Sequence, residues 1–183
     1  MSEILERWKA LTEGFSQRLD AVRDDQWDSP TPCADFTVRQ LVTHAIDVQR
    51  MAPKGLGASG AIDTPHGDDL KATWRAVRAA ALETCSAEGA LEREIDSPFG
   101  KQPAGQFFGG PASGDMLIHT WDLARAIGAD ETLPEDACQG VLAFLQAVPA
   151  EVIRQPGRFD NAVEPPAGAD IQTQMLCFAG RQP

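Results

Sequence analysis

One stretch narrows the choice of fold more than any other: Gly114 to Gly128. At roughly 100° of rotation per residue, Asp115, His119, Asp122 and Ala126 fall on one narrow stripe, while Met116, Leu117, Ile118, Trp121, Leu123, Ala124 and Ile127 cover most of the remaining circumference. Only Thr120 and Arg125 interrupt that apolar surround. A helix that is apolar nearly all round is packed on every side. Its polar stripe therefore points inward, where a carboxylate has to be paired or has to coordinate a cation. An aspartate and a histidine one helical turn apart can reach a common point beside the helix, and facing helices of a bundle build metal sites from such pairs.

Other helices can be read around this one. Ile4, Leu5, Trp8, Leu11, Phe15, Leu19 and Val22 recur every three or four residues and predict an amphipathic helix from Ile4 to Val22. The two prolines of Asp28-Ser29-Pro30-Thr31-Pro32-Cys33-Ala34-Asp35-Phe36 exclude helix there. Thr37-Val38-Arg39-Gln40 then has the form of a capping box, with Phe36 placed to staple onto Leu41. A second helix should run from Val38 to about Met51 and carry His44 at the edge of its apolar face. Asp68 or Asp69 can cap a third, through about Ser86.

The segments between are less regular. Ala52 to Gly67 is rich in Gly and Pro and reads as a mobile loop carrying His66. Between Ala87 and Gly110, Leu91 to Ile95 and the pair Phe107-Phe108 permit short strands. Pro98-Phe99-Gly100 and Pro103-Ala104-Gly105 read as turns, so a small hairpin is expected. Ser113 is placed to cap the central helix and Gly128 to end it in a left-handed conformation. Pro134, at a favoured first-turn position, opens a helix that ends at Pro149. Gln155 to Ala169 reads as irregular chain over the bundle, and Asp170 caps a last short helix through Phe178. The expectation is a single domain over 1–183, with a bundle core over about 3–148 and an irregular segment plus short helix over about 149–183.

Composition removes several function classes. The formal net charge is −11 and the sixteen Lys and Arg are dispersed, which argues against nucleic acid and anionic membranes as partners. No apolar run is long enough to span a bilayer. The N-terminus lacks a basic region followed by an apolar run, which predicts no signal peptide and a cytoplasmic protein. Cys33, Cys85, Cys138 and Cys177 are scattered, without the close pairs of a zinc finger, and read as free thiols. Cys33 lies in a loop that could approach the site.

His44, Asp115 and His119 are the candidate metal ligands. Two imidazoles and one carboxylate suit zinc, and also ferrous iron or nickel. Three protein ligands leave a position open, as in catalytic sites. Asp122 can accept a hydrogen bond from a ligand imidazole, act as a general base, or pair with Arg39 or Arg125. The bland alternative is an ordinary helical bundle whose histidines are merely hydrogen-bonded in its core.

Three blocks in combination also carry a family resemblance: Trp27 with Pro30-Thr31-Pro32-Cys33, then Thr37 to His44, then Asp115 to Ala124. Together they resemble the DinB-like metal-binding proteins of actinobacteria, and within these the group similar to the N-terminal domain of mycothiol-dependent maleylpyruvate isomerase. The resemblance implies an all-α fold, an up-down-down-up four-helix bundle with extra short helices. It implies a divalent metal held by His44, Asp115 and His119. The isomerase has glutamate where Asp115 stands, so this chain offers a shorter arm. It also ends without the isomerase's extra C-terminal domain, so that enzyme's particular reaction is not carried over. The expected activity is thiol chemistry: a low-molecular-weight thiol such as mycothiol, made nucleophilic at the metal, attacks an electrophilic substrate in S-transfer or thiol-dependent isomerisation. Arg39, Arg75 or Arg78 could hold an anionic substrate. A metal-dependent hydrolase and a non-catalytic metal-binding or regulatory bundle are the rivals, and a homodimer is left open.

Overall fold

The computed structural model describes residues 2–34, 36–154, 159 and 161–183. Its main helices are α1 (Glu3–Asp20), α2 (Val38–Gly55), α3 (Leu70–Cys85), α5 (Ser113–Ile127) and α6 (Glu135–Ala147). Short α4 (Ala104–Phe107), α7 (Ala150–Ile153) and α8 (Ile171–Phe178) accompany them, with a hairpin of β1 (Glu94–Ser97) and β2 (Gly100–Pro103). The starts of α1, α2, α3 and α8 are capped by side chains. Ser2 accepts from Leu5 N–H, Asp69 from Ala72 N–H and Asp170 from Thr173 N–H. Thr37 and Gln40 form the reciprocal capping box at the head of α2. Gly128, at φ 70° and ψ 33°, ends α5 in the left-handed conformation that glycine adopts without steric penalty.

Side-chain register fixes the helix directions. Trp8 meets Phe108 near the start of both α1 and the α5 region, and Arg18 reaches the Asp130 and Thr132 carbonyls beyond the end of α5, so α1 and α5 run parallel. Lys71 and Arg75, early in α3, bind Asp20 at the end of α1, whereas Arg78 reaches back to Lys9 and Thr12. α3 is therefore antiparallel to α1. The end of α2 lies against the hairpin that precedes α5, Gly55 packing on Ile95. α2 thus opposes α5, and the order is up, down, down, up. The interior is one apolar cluster that includes Trp8, Phe15, Leu41, Ile46, Trp74, Phe108, Met116 and Trp121. No helix among the described residues is long and apolar enough to cross a membrane.

Several local expectations are corrected. α2 continues through Pro53 to Gly55, and a 3₁₀ turn spans Gly60–Ile62, so Ala52 to Gly67 is partly ordered helix. Apolar packing of Ala52 and Pro53, both buried, outweighs the one backbone donor that proline lacks. Phe107 and Phe108 are helical: α4, a π-helical turn (Phe108–Ala112) and α5 form one continuous helical path. Ser113 consequently has no helix start to cap, and its hydroxyl donates to the Phe108 carbonyl within the widened turn. That turn accommodates Pro111, which has no N–H to give. Pro134 stands one residue before the first turn of α6, at its N-cap. Of the stretch Gln155 to Ala169, residues 155–158 and 160 lie outside the described residues, and 161–169 form no helix or strand.

Candidate functional site

His44 comes from the seventh position of α2, whose head is fixed by the preceding loop. There Pro30 bridges Thr37, and the Thr31 hydroxyl contacts the Cys33 and Phe36 carbonyls. Asp115 and His119 come from successive turns of α5. The three converge: His44 Nε2 lies 3.0 Å from Asp115 Oδ1, and His119 Nε2 lies 3.4 Å from the same oxygen. One ligand atom from each residue falls within 4.8 Å of the other two. The imidazole rings are 5.1 Å apart at 82°, and Phe36 walls off both at 5.3 and 6.0 Å. Asp115 Oδ2 is buried with no hydrogen-bond partner. A carboxylate oxygen left so in a fold carries a desolvation penalty that a cation would relieve.

Behind His119 stands a second layer. Its Nδ1 is 2.9 Å from Asp122 Oδ2, and Asp122 is fully buried. Arg181 closes the layer, Nε donating to Asp122 Oδ1 at 3.1 Å and Nη2 to Oδ2 at 2.8 Å. An Nδ1–H held by a carboxylate aims Nε2 at the point shared with His44 and Asp115, the usual support of a ligand imidazole. Burial works against the Asp115 charge, yet the His119 and His44 imidazoles beside it hold its carboxyl well below the ordinary range. For His119 burial disfavours the imidazolium, but the Asp115 and Asp122 carboxylates hold it up to about 10. Burial also opposes the Asp122 charge, and His119 and Arg181 together lower its carboxyl.

Arg181 is not marked by the sequence, which leaves Asp122 three roles: acceptor for a ligand imidazole, general base, or partner of Arg39 or Arg125. Those arginines go elsewhere: Arg39 lies over Trp27 near Asp28, and Arg125 lies over Trp121 and binds Glu131. Both arginines are exposed, whereas Asp122 is fully buried. Arg181 is 59 residues from its partner. It is delivered by α8 through Gly180, whose φ of 83° turns the chain so that Arg181 N–H reaches the Leu176 carbonyl. The signal available was a fully buried aspartate that needed a cation and a lone arginine after the apolar run Met175 to Ala179.

The cluster opens into a cavity of about 280 Å³, lined at its polar end by Cys33, His44, Asp115, His119 and Arg181. Elsewhere its wall is apolar, including Val48, Met51, Phe107, Phe144, Leu145 and Val148. Gly110 makes room for one of these. A Cβ there would meet the Phe144 ring at 2.9 Å. Cys33 Sγ lies within 4.8 Å of ligand atoms of His119 and Asp122, but both oxygens of that carboxylate are held by Arg181, so this grouping offers a poorer cation site than the triad. Arg75 and Arg78 pair with Asp20 and Glu13 outside the cavity. His66 pairs with Asp47 and contacts Arg50, also outside it. Cys85, Cys138 and Cys177 are buried free thiols, and burial raises the Cys85 thiol to about 12.

A helical bundle with a His, Asp, His cluster at the inner end of an apolar cavity defines a class: a DinB-like fold with a candidate metal centre between its second and fourth long helices. The profile described as the mycothiol maleylpyruvate isomerase N-terminal domain matches residues 8–124. The chain belongs to that family. It is 32% identical over 171 residues to an uncharacterized protein present in two strains of Mycobacterium tuberculosis, covering 92% of each chain. Crystal structures of the mycothiol-dependent maleylpyruvate isomerase and of its histidine-to-alanine mutant superpose with TM-scores of 0.60 and 0.61. Sequence identity to them is 20%, over 82% of this chain and 68% of theirs, a likeness of fold.

Proposed function

We propose that the protein binds a divalent metal, with zinc the best match and iron or nickel compatible, through His44, Asp115 and His119. We further propose that it uses a low-molecular-weight thiol of the mycothiol type in S-transfer or thiol-dependent isomerisation. The observation that carries this reading is the convergence of two imidazoles and a carboxylate, one oxygen of it unpartnered, on the wall of a largely apolar cavity. Membership of the isomerase family supports the thiol.

A metal held there would supply charge that lowers the pKa of a thiol, so that its proton leaves at neutral pH. The chain does the rest. His44 and His119 present Nε2 atoms from opposed helices, and Asp115 contributes the anionic donor between them. Asp122 is a positioning residue. It holds the Nδ1–H tautomer of His119, and Arg181 keeps it ionised and in place. Phe36 and the apolar wall exclude water, which would otherwise compete with sulfur for the electrophile. In S-transfer the thiolate forms the carbon–sulfur bond while the leaving group departs with its electron pair. In isomerisation the thiolate adds to a conjugated double bond, the new single bond rotates, and elimination returns the thiol.

Elemental analysis of purified protein, paired with thiol consumption over a panel of electrophiles with and without chelator, tests the proposal. Stoichiometric metal and a chelator-sensitive rate are expected, both lost in His44→Ala and His119→Ala. Unchanged metal content in those variants would discard the ligand assignment. A chelator-insensitive rate would discard the thiolate mechanism, and metal without turnover would leave a binding protein.

A further inference from the structure

Arg181 reaches the candidate metal centre from a stretch of chain that is fastened to α5 and its exit on both sides of that arginine. Met175, Leu176 and Ala179 are buried in the common apolar cluster. At the head of α8, Gln172 Nε2 donates to the Glu131 carbonyl at 3.0 Å, and Gln172 Oε1 accepts from Leu133 N–H at 2.8 Å. Beyond Arg181, the Gln182 carbonyl accepts from Arg125 Nη1 at 3.0 Å. Residues 171–182 thus dock as one segment along the helix that carries Asp115, His119 and Asp122.

What the segment delivers to the centre acts through a shared group. Asp122 Oδ2 accepts from two donors, Arg181 Nη2 at 2.8 Å and His119 Nδ1 at 2.9 Å, while Oδ1 accepts from Arg181 Nε at 3.1 Å. The two-pronged guanidinium contact fixes the plane of the carboxylate, and that plane sets the direction in which the His119 ring presents Nε2. A carboxylate held against Nδ1–H also raises the basicity of Nε2 toward a cation. Undocking withdraws the guanidinium and leaves the buried Asp122 charge without that support. Docking of the segment and occupation of the triad therefore favour the same Asp122 geometry. Two events that favour one state of a shared group promote each other by equal factors.

We propose that residues 171–182 regulate this centre: docking of the segment and loading of a divalent cation at His44, Asp115 and His119 are one coupled equilibrium, transmitted through Asp122. This rests on the metal reading above and goes beyond it by naming what controls retention of the ion. Release of the ion loosens the segment, and release of the segment removes Arg181 from the cavity wall it helps to line.

Hydrogen exchange of the intact chain, in EDTA and at saturating zinc, reads docking through the Ala179 and Arg181 amides, which are bonded to the Met175 and Leu176 carbonyls. Competition with a chelator reads zinc affinity in parallel. In wild type, zinc should slow exchange in this segment about 10–100-fold, the range expected of a group that supports a ligand imidazole. Arg181→Ala should weaken zinc by a similar factor. Gln172→Ala, which touches neither Asp122 nor the triad, keeps the test decisive if Arg181→Ala does not fold. It should speed exchange about fivefold in both conditions and leave the slowing by zinc intact. Asp122→Asn at saturating zinc should abolish that slowing. The coupling is overturned if zinc binds wild type yet leaves exchange of the segment unchanged, if the slowing persists in Asp122→Asn, or if folded Arg181→Ala binds zinc as tightly as wild type. Failure of wild type to bind zinc at all is a different result: it overturns the metal reading, and the coupling with it.

Discussion

Two clusters in this protein use the same three residue types and differ in everything that surrounds them. In one, His66, Asp47 and Arg50 meet at the surface, the His66 and Asp47 side chains 30% and 48% exposed. In the other, His119, Asp122 and Arg181 are buried and continue through Asp115 to His44. Water reaches the His66 and Asp47 side chains, so their ion pair contributes little, although the Arg50 side chain beside them is only 12% exposed. The second has surrendered that solvation, and each of its groups depends on a specific neighbour. Bringing a divalent cation to the outer cluster would displace only water and a weak ion pair. At the inner one it would meet an orphaned carboxylate oxygen and imidazoles already held in position.

Variants at matched positions would break or sharpen this contrast. The largest effect is expected from His119→Ala, which should remove stoichiometric metal as read by elemental analysis, while His66→Ala leaves metal content at the wild-type level. Next, Arg181→Ala strands the buried Asp122 charge and should cost about 3–5 kcal/mol of stability in urea unfolding. Equal stability of Arg181→Ala and wild type would refute the importance given to that pair. Asp122→Asn keeps the three ligands and loosens the support of His119, so metal affinity should fall about 10–100-fold in a competitive chelator titration. The smallest effect belongs to Asp47→Ala, expected to change stability by no more than about 1 kcal/mol. A larger loss would show that the surface cluster is not the weak member of the comparison.

The legibility of the two clusters in sequence also differs. Asp115, His119 and Asp122 share one turn-spaced stripe, so local periodicity was enough to group them. His44 could be proposed as their companion because it sits on the inner edge of another amphipathic helix. That it meets Asp115 at 3.0 Å is decided by the opposed packing of α2 and α5. Arg181 had no comparable signal: nothing in a helical period reports that a residue after α8 will reach α5. The continuous helical path from Ala104 through Ile127 was hidden for the opposite reason, since Gly109, Gly110 and Pro111 are locally poor in helix propensity and only burial against α1 and α6 makes them helical.

What the sequence determined by itself is whatever depends on neighbours along the chain. The capping box at Thr37, the glycine stop at Gly128, the hairpin turn at Pro98-Phe99 and the apolar faces of the helices are set by interactions over a few residues. Tertiary structure decided which polar groups face one another, which carboxylate receives Arg181, and that the triad opens into an apolar cavity. These depend on desolvation and charge pairing between segments tens of residues apart. Such terms take their sign and size only once packing has excluded the water between the segments.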